Sequence, residues 1–113
     1  MALVFLKPAS FAFSGLKVSV NGEDSRFSNI FVILAETYLS HGNYDKAKEL
    51  LTKAVQCNPD NVKARYDLGL IYEILDDYKM AIAEYENVLT REPESREVNY
   101  YVGLLYDRTG QTE

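Results

Sequence analysis

Tryptophan is absent from this 113-residue chain, cysteine and histidine occur once each, and proline three times. A single cysteine, Cys57, forms no internal disulfide, so nothing in the sequence calls for an oxidising compartment, and a reduced, cytoplasmic setting is the default. With one histidine, no Cys-x-x-Cys pair, no glycine-rich phosphate loop and no metal-ligand cluster, the nucleophile, base, metal and cofactor sites of an enzyme all lack their parts. The sequence therefore predicts a non-enzyme that needs no cofactor and no metal. No apolar run approaches the roughly 18 residues that span a bilayer, the longest near the N-terminus being broken by Lys7 and Pro8. Acid is missing from residues 1–22, which carry Lys7 and Lys17, so of the net charge of -5 the remainder of the chain carries -7. An acidic body lacks the basic face that phosphate binding requires, and nucleic acid is not an expected partner.

What is present is repetition. Leu34, Tyr38, Tyr44, Ala47 and Pro59 recur 34 positions later as Leu68, Tyr72, Tyr78, Ala81 and Pro93. Val102, Gly103 and Tyr106 then stand 34 positions after Leu68, Gly69 and Tyr72. A fixed period of this length marks one supersecondary unit per copy, which buries its apolar face by stacking on a neighbour. The reading divides the chain into a non-repeat extension at 1–27, repeats at 28–61 and 62–95, and a partial third repeat at 96–113.

Within the first copy, Ile30, Phe31, Leu34, Tyr38 and Leu39 recur at helical spacing, Asn43 interrupts, and Ala47, Leu50, Leu51, Ala54 and Val55 resume it. That is helix, turn, helix. His41-Gly42-Asn43 supplies the turn, with His41 read as a solvated turn residue. Pro59 ends the second helix, because proline disfavours helical geometry in the residue before it, and either Asp60 or Asn61 caps the next. The second copy follows the same plan, and Ser95 is placed to cap the third copy's helix with Glu97 in its first turn. Glycine inside a helix costs about 1 kcal/mol against alanine, so Gly69 and Gly103 at one repeated slot point to a neighbouring side chain that needs the space. Cys57 reads as a half-buried packing residue, and Glu49 and Lys53 as a favourable helical pair.

The pattern Leu68-Gly69-x2-Tyr72, Ala81-x3-Tyr85, Pro93 resembles the tetratricopeptide repeat, over residues 28–113, with Leu34-Ala35-x2-Tyr38, Ala47-x3-Leu51 and Pro59 as a second instance. Both copies depart from the family at its tryptophan slot, where Phe31 and Arg65 stand. The resemblance implies an all-α, right-handed solenoid of antiparallel helix pairs, two full repeats plus the first helix of a third. It also implies a scaffold whose first helices line a concave surface that binds a partner peptide or helix. On that surface it places Asn29, Val32 and Glu36 in the first copy, Lys63, Tyr66, Leu70 and Glu73 in the second, and Glu97, Tyr100, Leu104 and Asp107 in the third.

Tyr66 recurs as Tyr100 and Leu70 as Leu104, an aromatic and aliphatic column suited to a peptide groove. Packing between repeats fits the same column, and spacing alone does not separate the two. Some members of the family hold a C-terminal carboxylate in a clamp of lysine, asparagine and arginine. Here the matching slots hold Val32, Glu36 and Asp67, which predicts no binding of an acidic peptide ending in Glu-Glu-Val-Asp. The acids Asp76, Asp77, Glu84, Glu86, Glu92 and Glu94 read as a solvated face.

Residues 1–27 do not repeat. Phe11 and Phe13 alternate, as do Leu16, Val18 and Val20, before Asn21-Gly22, which favours an extended, β-rich segment over an organelle-targeting sequence or a remnant of a preceding domain. Val98, Tyr101, Val102, Leu105 and Tyr106 give the third copy an inward face with no second helix after it. Three readings stand for this end: a terminal cap, a chain cut from a longer one, or a structural module that forms a homodimer through the open C-terminal helix face.

Overall fold

The structure, a computed structural model, describes residues 24–110, and all regular elements among them are helices. They are α1 (Asp24–Ser40), α2 (Tyr44–Cys57), α3 (Val62–Ile74), α4 (Tyr78–Arg91) and α5 (Arg96–Thr109). Each helix packs on the next, and α1 also touches α3, the order of contacts of a helical solenoid. The extended segment expected in residues 1–27 lies outside the described residues up to 23. Residues 24–27 are helical, so α1 begins before the predicted boundary at 28. Phe27 packs against the core from that added turn, which is the physical reason for the extension.

The period is visible in the helix ends. Asn43 and Asp77, 34 positions apart, cap α2 and α4 by accepting from the backbone N–H of Lys46 and Met80. Asn61 and Ser95, again 34 apart, cap α3 and α5 by accepting from Ala64 and Val98, which decides the cap of α3 in favour of Asn61. Each such cap is worth about 1 kcal/mol. Gly42, Asp76 and Gly110 share one slot and one left-handed conformation, with φ of 77°, 63° and 74°. Asp76 is thus a turn residue and Asp77 a cap, rather than parts of a passive acidic face.

Two core clusters fill the stack. Phe31, Ala35, Leu50, Leu51, Leu68 and Ile71 belong to the first, with Cys57 packed against it. Tyr85, Val88, Val98, Val102 and Leu105 belong to the second. A buried hydrogen-bond network ties α1 and α2 to Asn61, the cap of α3: Ser28 donates to the Ala54 carbonyl at 2.7 Å, and Asn61 Nδ2 donates to Ser28 Oγ at 2.7 Å and to Asn29 Oδ1 at 3.1 Å. Farther along, Arg91 binds Asp60 and Tyr106 binds Glu86.

The ends of the stack differ from its middle. Leu68 is 2% exposed, whereas Leu34, its counterpart in α1, is 46% exposed beside exposed Ile30 and Ile33. The slot that α3 presents to the preceding repeat has no preceding helix pair to meet at α1 among the described residues. Met80 on α4 is likewise exposed.

Candidate functional site

The first helices α1, α3 and α5 stand side by side, and a chain of polar contacts crosses all three. Lys63 Nζ on α3 lies 3.0 Å from Glu36 on α1 and 3.5 Å from Asp67 one turn along its own helix. The same ammonium sits 5.8 Å from the centre of the Tyr66 ring, within range of a cation–π contact. Tyr66 Oη donates to Glu97 on α5 at 2.9 Å, and Tyr101 donates to the same carboxylate at 3.3 Å. Four of the eleven residues predicted for the concave surface, Glu36, Lys63, Tyr66 and Glu97, are therefore brought into one continuous line.

The others divide. Asn29 is exposed and accepts from Asn61. Val32 is 5% exposed and belongs to the first core cluster, a correction to its placement on the binding surface: it is buried among residues that α1, α2 and α3 share. Leu70 is half-buried against the second cluster, and Glu73 accepts from Tyr85 Oη at 3.0 Å. Tyr66 is itself half-buried, its ring 6.0 Å from that of Tyr85, so packing within the second repeat claims much of it. Its counterpart Tyr100 is 64% exposed, and Leu104 is 41% exposed; Asp107 is exposed as well.

Asp67 carries the least ordinary electrostatics. Its side chain is almost wholly buried and its Oδ2 has no hydrogen-bond partner. Burial, assisted by the hydrogen bond it shares with Glu36, pushes its carboxyl up to about 7. That same bond holds Glu36 below the usual carboxylate range, with Lys63 assisting. Lys63 is raised in turn, chiefly by its hydrogen bond to Glu36. Burial raises the Tyr66 phenol, helped by Glu97, and burial raises that of Tyr85. Neither tyrosine ionises at neutral pH, so both serve as hydrogen-bond donors.

Two clefts flank the line. One, of about 440 Å³, is lined by Val62, Lys63, Tyr66, Val88, Glu92, Ser95, Glu97 and Val98. The other, of about 360 Å³, is lined by Leu70, Glu73, Ile74, Asp76, Tyr78, Tyr101 and Arg108. Sequence reasoning missed Tyr78, Tyr101 and Arg108 here. Arg108 donates to Tyr78 Oη at 3.1 Å and lies over its ring, a pairing 30 residues apart that no local pattern announces. Glu84, expected in solvent, is 9% exposed and accepts from Arg65 at 3.1 Å. Among the described residues no group of three His, Cys, Asp or Glu side chains is arranged to hold a metal ion, and no helix is long and apolar enough to cross a membrane.

Residues 11–105 match the family described as the tetratricopeptide repeat protein 21 C-terminal ARM domain. Tetratricopeptide repeat protein 37 of Xenopus laevis is 38% identical over 71 residues, covering 63% of this chain and 4% of that protein. Superkiller complex protein 3 of Homo sapiens is 32% identical over 92 residues, covering 80% of this chain and 6% of that protein. The chain thus spans a small fraction of the length of these relatives. A crystal structure of MamA protein superposes with a TM-score of 0.71 at 25% identity, over 74% of this chain and 46% of that one. Helix pairs of a 34-residue period, the buried slots they share and the matched span agree: this chain belongs to the tetratricopeptide repeat protein 21 C-terminal ARM domain family, a helical-repeat scaffold of the kind that serves protein–protein interaction.

Proposed function

We propose that the chain is a non-catalytic docking module that receives one segment of a partner protein, a peptide or a helix, across the concave face of its first helices. The line Glu36–Lys63–Tyr66–Glu97 carries this reading, because it ties α1, α3 and α5 into one prearranged surface. Side chains already held by neighbours lose little freedom when a ligand arrives, so less of the contact energy is spent on ordering. Tyr100 and Leu104 supply the exposed apolar contacts beside that line.

Charge selects the ligand class. Glu36, Glu73, Glu97 and Asp107 outnumber Lys63 and Arg108 on this face. A segment with basic and apolar side chains complements it, and one ending in several carboxylates does not. The test is an array of synthetic peptides graded in net charge, probed with the 113-residue chain. Basic peptides with an aliphatic or aromatic residue are expected to bind, and Leu104→Ala with Tyr100→Ala to weaken them about tenfold or more without lowering the melting temperature. Selection of peptides ending in Glu-Glu-Val-Asp, or binding indifferent to both substitutions, contradicts the proposal.

A further inference from the structure

One buried carboxyl beneath the docking face is left unmatched. The Asp67 side chain is 3% exposed, its Oδ1 lies 3.5 Å from Lys63 Nζ, and its Oδ2 has no hydrogen-bond partner. The same ammonium lies 3.0 Å from Glu36, so one cation serves two acids, one on α1 and one on α3. Among the described residues no second cation stands within ion-pair distance of either acid. The elements packed behind them supply none: α2 turns Ala47, Leu50, Leu51 and Ala54 inward, and Glu84 of α4 is held by Arg65. A carboxylate oxygen buried without a donor is costly, and a second cation is what this cluster lacks.

The cluster opens toward the concave face. Lys63 is 58% exposed and Glu36 40%, whereas Asp67 is covered. An incoming cation therefore meets Glu36 first and reaches Asp67 where Lys63 stands. Lys63 has a second place to rest, the Tyr66 ring 5.8 Å away. Arginine suits the gap better than lysine, because its planar guanidinium spreads five N–H donors in a fork that bridges two carboxylates, while an ammonium repeats the point charge already present.

We propose that Glu36 and Asp67 form a subsite for one arginine of the partner segment, whose guanidinium bridges the two carboxylates while Lys63 swings onto the Tyr66 ring. The subsite deepens the docking reading above and rests on it. It also couples docking to a proton. Burial, then the hydrogen bond with Glu36, pushes the Asp67 carboxyl up to about 7, so the free chain holds a proton there at mildly acidic pH. The guanidinium stabilises the ionised form, the proton passes to solvent, and the partner binds more tightly as pH rises through that value. Glu36, held below the ordinary carboxylate range, stays charged throughout.

Calorimetric titration of the full 113-residue chain tests the subsite. The probe is the tightest-binding peptide of the charge-graded array that contains arginine and no histidine, measured from pH 6 to pH 9 in buffers of different ionisation enthalpy. The expected release is about one proton per peptide near pH 6, falling toward none at pH 9, with affinity rising about five- to tenfold on the way. Asp67→Asn keeps the shape and removes the titration, so the release should vanish and the affinity become flat with pH; the same comparison separates Asp67 from His41, the one imidazole of the chain. Glu36→Gln, a change on a partly exposed side chain, should weaken the peptide about tenfold and reduce the release. With each arginine of the peptide replaced in turn by citrulline, one position should lose about tenfold or more against the wild type and clearly less against Asp67→Asn. Binding without proton release at pH 6, or a pH profile and citrulline loss unchanged in Asp67→Asn, overturns the subsite and leaves the docking reading standing. Failure of every basic peptide to bind at any pH overturns both.

Discussion

Phe31 and Leu50 belong to one apolar cluster in the first repeat; 34 positions later the same two slots hold Arg65 and Glu84, joined at 3.1 Å with little exposure. Ala35 and Leu51 in the first repeat become Gly69 and Tyr85 in the second, a smaller residue on one helix matched by a larger one on the other. Gly42 becomes Asp76 in the same left-handed turn. The two repeats keep the volume and the pairing of facing slots while changing the residues in them. Conservation of a packed interface acts on pairs, since close packing penalises both a void and an overlap.

The largest effect should come from breaking one member of a pair. Gly69→Ala drives a methyl into the Tyr85 ring and is expected to cost about 2–3 kcal/mol by urea denaturation, while Gly103→Ala gains about 0.5–1 kcal/mol. Adding Tyr85→Leu to Gly69→Ala rebuilds the first repeat's solution, Ala35 with Leu51, and should recover much of the loss. If the double variant is no better than the sum of the single ones, the slots are not paired as described.

Next is the ion pair. Glu84→Ala leaves the largely buried Arg65 guanidinium without its carboxylate and is expected to cost about 2 kcal/mol. Arg65→Phe with Glu84→Leu transplants the first repeat's apolar pair and should lie within about 1 kcal/mol of the wild type. A double variant as unstable as Glu84→Ala would show that the second repeat tolerates only the charged solution.

Acidity separates the repeats differently, through Asp67. Its folded value of about 7 lies above that of an unfolded aspartate, so the folded chain retains a proton that the unfolded chain releases. Asp67 therefore favours folding most at low pH and loses that contribution as pH rises through the folded value. Glu36, held below its ordinary value, acts in the opposite sense and loses its contribution as pH falls through that lower value. Between pH 5 and 8 the aspartate dominates, and stability should decline on the order of 1–2 kcal/mol. Asp67→Asn should abolish that decline in denaturation curves recorded across the range. The smallest effect is expected at the turns, where Asp76→Gly should gain about 0.5 kcal/mol and Gly42→Asp lose a similar amount, read from thermal melts.

The helix pairs and part of their capping were legible in the sequence because each is a local signal repeated at a fixed interval. Ser95 caps as its type and position imply, Asn61 is one of the two candidates for its cap, and Gly69 yields space to a neighbour as its helical placement implies; Gly103 in the same slot meets no neighbour, and Asp77 caps a helix where an acidic face was expected. Burial at the ends of the stack was not legible. Leu34 and Leu68 are the same residue in the same slot, and among the described residues only Leu68 has a preceding helix pair to pack against. Of the candidate site, Glu36, Lys63, Tyr66 and Glu97 were found by position in the repeat. Val32 was misplaced because spacing along α1 does not show that residues of three helices close over that slot. Arg108 over Tyr78, and the Arg65–Glu84 pair, join residues far apart in sequence and became visible only once the helices were stacked.

The central claim is that the first helices form the surface that receives a partner, and amide chemical-shift mapping with a basic peptide selected from the charge-graded array tests it most directly. Shifts should concentrate at Glu36, Lys63, Glu97, Tyr100 and Leu104, leaving Thr52, Lys79 and Glu86 on the second helices unmoved. Shifts confined to the second helices, or spread evenly over the chain, would contradict it.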